Sequence, residues 1–248
     1  MKTRHFFISS AIITIALFSV NPMYGYYSIS PYAYCLNNPV RFVDPTGMDV
    51  WEVDENGHIV QRIEDKTQDA FYRVDSEGNR FEGENTSVTF EYGTVTERNH
   101  TVQTGNGEQT IKIFEIKGDE NATSAFNILI GGSGENMVEW GHVKIGAENS
   151  GRNLVGTSNN ESSSLLGGYA LGYGYTIRES NHNHPGGDAM PSLSDVTNAK
   201  SITDKFPNAT FNIYGRPSMP VPFNKNSPHI APSSPGSRTG RLAPGLTW

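Results

Sequence analysis

The sequence predicts an α/β fold, a mixed sheet sandwiched with helices over residues 119–215, behind a smaller β-rich region at 49–118. Three observations carry this expectation. Residues 122–130, Ala-Thr-Ser-Ala-Phe-Asn-Ile-Leu-Ile, place apolar side chains at helical spacing and run into Gly131-Gly132, a helix stop. Strand-like runs follow at 138–145, 153–157, 170–177 and 209–214. A second helix fits between the last two, capped by Ser192 or Ser194, with Asp195 in its first turn and its end before Pro207.

Taken in order, the chain opens with Lys2, Arg4 and His5 ahead of an apolar run at 6–20 that Pro22 interrupts. About fifteen apolar residues fall short of the ~20 that span a bilayer. The pattern predicts a secretory signal over 1–25, hence a secreted or periplasmic protein with no stable membrane span after cleavage. Residues 26–48 are turn-rich, with Asn38-Pro39 and Asp44-Pro45-Thr46-Gly47. This stretch resembles the closing motif of the RHS repeat-associated core, the shell of bacterial polymorphic toxins. The resemblance implies that the sequence after Asp-Pro-x-Gly is a toxin cassette, with a cognate immunity protein and delivery into target cells. It covers under a tenth of the chain, and the long repeats that build such a shell are absent.

Two hairpin-like units come next, around Asp54-Glu-Asn-Gly57 and Asp75-Ser-Glu-Gly78, offset by 21 positions. Strand-like runs at 88–92 and 111–116 follow, separated by polar sequence and Gly105-Asn-Gly107. Residues 49–118 therefore read as a small β-rich linker domain. Residues 119–215 read as the domain with the chemistry, and 216–248, dominated by Pro, Ser, Gly and Asn, as an irregular tail. In the run at 170–177, Leu171, Tyr173, Tyr175 and Ile177 alternate and lead into a histidine pair.

Composition narrows the function. A net charge of −7 argues against a nucleic-acid surface, which needs a basic patch. The single Cys35 forms no internal disulfide and excludes cysteine-based zinc sites. What remains is the stretch 179–195, Glu-Ser-Asn-His-Asn-His-Pro-Gly-Gly-Asp-Ala-Met-Pro-Ser-Leu-Ser-Asp. His182 and His184 stand two apart, so on an extended backbone both imidazoles face one side. Pro185 and Gly186-Gly187 then turn the chain. Asp195 offers a carboxylate. Two imidazole nitrogens and one carboxylate suit a single zinc ion, with the fourth position left to water, the pattern of a catalytic site.

The spacing His-x-His-Pro, then Ser-x-x-Asp, with ten residues between His184 and Asp195, resembles the JAMM signature of the JAB/MPN metallopeptidases. The resemblance implies a JAB/MPN-like (cytidine-deaminase-like) sandwich, zinc on His182, His184 and Asp195, and an oxyanion-stabilising hydroxyl at Ser192. It also implies an upstream glutamate as general base. Glu139, 43 positions before His182 and opening a strand after an apolar helix, is the choice; Glu148, Glu161 and Glu179 compete. The implied activity is amide or isopeptide hydrolysis of a protein or peptide, such as a ubiquitin-like conjugate or a crosslinked peptide. Two alternatives stand beside it: a metal-dependent nuclease toxin, suggested by the trio His182-Asn183-His184, and a catalytically silent MPN-like binding module.

Overall fold

The computed structural model describes residues 49–65, 67–105, 107–215 and 219–230. The expected signal at 1–25, the RHS-like segment at 26–48 and the tail from 231 onwards lie outside the described residues. Four short strands, β1 (Asp49–Val53), β2 (Ile59–Glu64), β3 (Asp69–Arg73) and β4 (Ser87–Phe90), form one sheet in the order β2-β1-β3-β4. Seven more form a second: β5 (Val95–Thr104), β6 (Gly107–Lys117), β7 (Gly141–Ile145), β8 (Arg152–Thr157), β9 (Ile177–Asn183), β10 (Thr210–Tyr214) and β11 (Pro220–Phe223). Their order is β11-β10-β9-β7-β8-β6-β5, which places β9 in the interior of the sheet. Three helices complete the described residues, α1 (Asp119–Ile130), α2 (Leu166–Gly172) and α3 (Leu193–Thr203).

The large sheet is buried on both faces, and its alternation says by what. On β6, Phe114 and Ile116 join Phe126 and Leu129 of α1, with Trp51 and Phe71 of the small sheet, in one core. Ile111 and Ile113, facing the other way, join Leu166 and Ala170 of α2 and Ala199 and Ile202 of α3 in a second. Helix α1 and the small sheet thus cover one face, and α2 with α3 the other. Trp51 stacks on Phe71 at 4.9 Å, and both present edges to Phe114 at 5.1 and 5.2 Å. Such pairs add ~0.5–1.5 kcal/mol each beyond burial. Trp140, just before β7, fixes the first turn of the small sheet by donating its Nε1–H to the Gly57 carbonyl at 2.9 Å.

Both turns read as Asp-x-x-Gly are built alike. Asp54 Oδ1 accepts the N–H of Asn56 and His58, and Asp75 Oδ1 those of Glu77 and Asn79, the Asx-turn chemistry of that residue pattern. The first closes the β1–β2 hairpin; the second closes on a single bridge, Val74 to Arg80.

Four expectations change. The division between the two sheets falls between β4 and β5, not at 119, because β5 and β6 pair with each other and β6 pairs with β8 of the large sheet. Strand β5, Val-Thr-Glu-Arg-Asn-His-Thr-Val-Gln-Thr, has the sequence of a polar connection; as an edge strand with one face toward solvent it carries few apolar residues. The run at 170–177 is not one strand. Leu166 and Ala170 lie one turn apart and are fully buried on α2, which Gly174 ends at φ +82 before β9 begins at Ile177. The segment from 216 is not irregular throughout: β11 pairs antiparallel with β10, an edge position where the missing N–H of Pro220 and Pro222 is tolerated. Beyond it, Ile230 donates to the Pro191 carbonyl at 2.9 Å, beside the loop that enters α3.

Candidate metal centre

Strand β9 is antiparallel to β7 and parallel to β10, with His182 opposite Gly141 on one side and Ile213 on the other. The ladder runs one residue past the strand, since His184 N–H donates to the Tyr214 carbonyl at 3.0 Å. Both histidines therefore sit on backbone paired within the sheet, at the carboxyl end of an interior strand where a connection crosses through α3 to β10. Open α/β sheets place their ligand sites at such points. A turn follows at once, closed by Gly187 N–H to the His184 carbonyl at 2.9 Å, with Pro185 in its second position and Gly187 at φ +82.

Helix α3 brings the third group. Ser192 is its N-cap and Asp195 its third residue, and they form a reciprocal capping box. Asp195 N–H donates to Ser192 Oγ at 3.2 Å, while Asp195 Oδ2 accepts from Ser192 N–H at 2.6 Å and from its hydroxyl at 2.7 Å. The carboxylate is thereby aimed at the histidines. His182 Nε2 lies 3.2 Å from Asp195 Oδ1, His184 Nε2 lies 3.4 Å from Oδ2, and the two Nε2 atoms are 3.1 Å apart. The His184 Nδ1 atom meets the Asp188 carbonyl at 2.9 Å. That contact fixes the tautomer and leaves Nε2 with a lone pair for an ion.

These atoms fit a zinc ion. Bonds of ~2.0–2.1 Å at the tetrahedral angle set ligand atoms roughly 3.3–3.4 Å apart, close to the three separations found. One ligand atom from each of His182, His184 and Asp195 lies within 4.8 Å of the others, and among the described residues no other such group of three occurs. Electrostatics bind the trio together. Burial alone would lower the His182 pKa, but the hydrogen bond it donates to Asp195 and the charges of Glu139 and Asp195 outweigh it and raise the value. Burial would raise Asp195, yet the two imidazoles beside it, with the Ser192 N–H, hold its carboxyl far below the usual range.

Glu139 occupies the extended stretch ahead of β7, which begins at Gly141 rather than 138. Its backbone is pinned by N–H to the Asn160 carbonyl at 2.7 Å and by Thr157 Oγ1 donating to its own carbonyl at 2.7 Å. The side chain is 8% exposed, and Oε1 accepts Ser164 N–H at 3.0 Å. Glu139, His182 and Asp195 line one cleft of about 200 Å³. Burial pushes the Glu139 carboxyl above the ordinary range, partly offset by His182 and the Ser164 N–H. Of its competitors, Glu148 is exposed in the loop at the far end of β7 and Glu161 is exposed in the loop after β8. Glu179 lies on the other face of β9, bonded to Lys144 and Asn181.

Ser192 is the residue placed differently from its expected task. Its one proton goes to Asp195, and it does not line the cleft, whereas Ser194 does. The stretch 163–168, which enters α2, carries no side-chain motif in the sequence, yet its Ser164 backbone holds Glu139 and its Leu165, the residue before the helix, takes φ +58, a strained value for a bulky side chain. The run Ser-Ser-Leu-Leu-Gly-Gly is its only signal. Asn198, one helical turn beyond Asp195, lines the same cleft and is likewise unmarked by any motif.

Residues 114–205 match the family model described as JAB-like toxin 1. The matched stretch runs from within β6 to just past α3, so it holds Glu139, both histidines, Ser192 and Asp195 and leaves out the small sheet. Over that stretch the chain is similar to JAB-like toxin domains. No curated protein and no solved structure matches the chain.

Proposed function

We propose that this protein is a zinc metallopeptidase that hydrolyses an amide or isopeptide bond as the effector module of a toxin. The observation that carries the reading is the convergence of His182 Nε2, His184 Nε2 and an Asp195 carboxylate oxygen within 4.8 Å at a cleft shared with the buried Glu139. His182, His184 and Asp195 would hold one zinc, which when bound lowers the pKa of a water toward neutrality and polarises a carbonyl. Glu139, on the same cleft, would do the proton work. Burial raises the proton affinity of its carboxyl, so in its ionised form it would take the proton of the attacking water and then return it to the leaving amine. Asp195 is oriented by the cap, and His184 by the Asp188 carbonyl. In this geometry the Ser192 hydroxyl positions Asp195; serving the oxyanion requires it to turn from Asp195 to substrate.

The similarity to JAB-like toxins over 114–205 supports the effector role. The substrate is then a protein or peptide of a target cell, such as a ubiquitin-like or crosslinked peptide. Secretion and a cognate immunity protein belong to the same proposal. The test uses the full chain, because β5 and β6 complete the large sheet. Zinc content is measured after gentle purification for wild type and for His182→Ala/His184→Ala, and peptide and isopeptide substrates are then screened with Glu139→Gln beside wild type. Near one zinc per wild-type chain, none in the double variant, and a Glu139→Gln protein that keeps zinc but loses about 10²–10⁴ in turnover are expected. Equal zinc in wild type and double variant, or an active Glu139→Gln, overturns the assignment.

A further inference from the structure

Part of the cleft is lined by side chains with no task in this chemistry. Ser180 stands two residues before His182 on β9, on the same face and about 6.6 Å along the strand. Asn198 stands three residues after Asp195 on α3, on the same side of the helix and about 4.5 Å further along its axis. Each is thus one structural repeat from a candidate ligand, and both line the cleft together with Ser164. Ser164 and Ser180 are 6% and 7% exposed. Neither hydroxyl, nor the Asn198 amide, has a hydrogen-bond partner among the described residues. Buried polar groups without a protein partner are satisfied by water or by a ligand.

Gly167 keeps this space open. A Cβ there would come within 2.7 Å of Asn198 Nδ2 and 3.3 Å of Ser180 Oγ. No lysine or arginine lines the cleft, so apart from His182 and a bound metal nothing there rewards an anionic group. Two hydroxyls and a carboxamide offer both donors and acceptors, the complement of a peptide amide. The volume, about 200 Å³, lies below the ~300–1,000 Å³ of ordinary small-molecule pockets, so a small residue fits it more readily than a bulky one. An extended peptide advances about 3.3 Å per residue, so the offset from the candidate ligands corresponds to the residue adjoining the scissile bond or the next one.

We propose that Ser164, Ser180 and Asn198 form a subsite that holds the backbone amide of a small, uncharged substrate residue beside the scissile bond. The proposal rests on the metallopeptidase reading for the identity of that bond, and its test separates the two. Isotopically labelled full chain with added zinc is titrated with N-acetylglycinamide and N-acetylphenylalaninamide, following the Gly167 N–H and Asn198 side-chain amide by NMR. Saturable shifts with the glycinamide, at least about tenfold weaker binding of the phenylalaninamide, and a three- to tenfold loss in Asn198→Leu and in Ser180→Ala are expected, on the scale of one hydrogen bond. Equal binding of the phenylalaninamide, absence of shifts, or unchanged binding in folded variants overturns the subsite. Should Asn198→Leu fail to fold, Ser180→Ala decides. Zinc stoichiometry is measured on the same samples. Zinc without probe binding removes the subsite alone, and probe binding without zinc removes the metallopeptidase reading alone.

Discussion

Behind the histidine strand lies a third histidine whose titration should be visible in the stability of the whole protein. His142 of β7 is 1% exposed, packs 5.6 Å from the Phe126 ring, and meets Asn153 Oδ1 through Nε2 at 3.1 Å. Its Nδ1 has no partner, so a second proton would be buried unpaired. Burial first, against the Asn153 contact, pulls its pKa from 6.5 to about 4. Above pH 6.5 the ring is neutral in folded and unfolded chains, and its stabilisation is fully present. As pH falls from 6.5 toward 4, the unfolded chain takes up a proton that the folded one refuses, and stability is lost. At about 1.4 kcal/mol per pH unit, that loss is about 2 kcal/mol by pH 5 and about 3 kcal/mol by pH 4. Urea unfolding of wild type and His142→Gln, which keeps a donor for Asn153, isolates the effect because other groups are common to both. The difference in unfolding free energy should shift against wild type by these amounts. A difference that stays flat from pH 7 to pH 4.5 would refute the reasoning.

Three further outcomes follow from the same geometry. Ser192→Ala removes the α3 cap and should cost about 1 kcal/mol; by freeing Asp195 it should also weaken the proposed zinc site about 10–100-fold in a chelator competition, and unchanged affinity would show that the cap does not aim the carboxylate. Asp119 is held at about 2, first by the Arg178 hydrogen bonds. Its stabilisation is present above the ordinary 3.8 and is lost as pH falls toward 2, so Asp119→Asn should be less stable at neutral pH and flatter across that acid window in circular-dichroism titrations. Phe126, fully buried between His142 and Tyr214, should cost about 3–5 kcal/mol as Phe126→Ala, and a loss under 1 kcal/mol in denaturant melts would mean that the α1 face repacks.

The elements that were legible in the sequence are those whose physics is local. Helix α1 advertises one apolar face and a glycine stop, α3 a serine cap, and the histidine pair its own facing by alternation. The elements that escaped depend on distant partners. Strand β5 is recognisable only once β6 is beside it, and β11 only because β10 offers an edge that tolerates proline. Helix α2 was hidden because Leu171, Tyr173, Tyr175 and Ile177 alternate by accident across a helix end, a turn and a strand start. Ser192 was given to the substrate because spacing alone does not reveal that its hydroxyl is engaged by Asp195. The loop that holds Glu139 does so through a backbone N–H, which no side-chain pattern records.

Strand β9 and the residue after it read Asn181, His182, Asn183, His184, so carboxamides and imidazoles take alternate sides of the sheet. Asn183 accepts the Trp140 N–H at 2.7 Å and Asn181 accepts from Asn212 at 2.9 Å, both on the face opposite His182. A slip of one residue exchanges the two faces completely. A single codon gained or lost between 177 and 181 would therefore present asparagines where the imidazoles stood, in a strand of unchanged polarity. A relative with such a change would lose the cluster without a substitution at any of the residues discussed. It would be told apart by phase, counted from the irregularity that already lies between Lys144 and Ile145, opposite the stretch from Ile177 to Glu179.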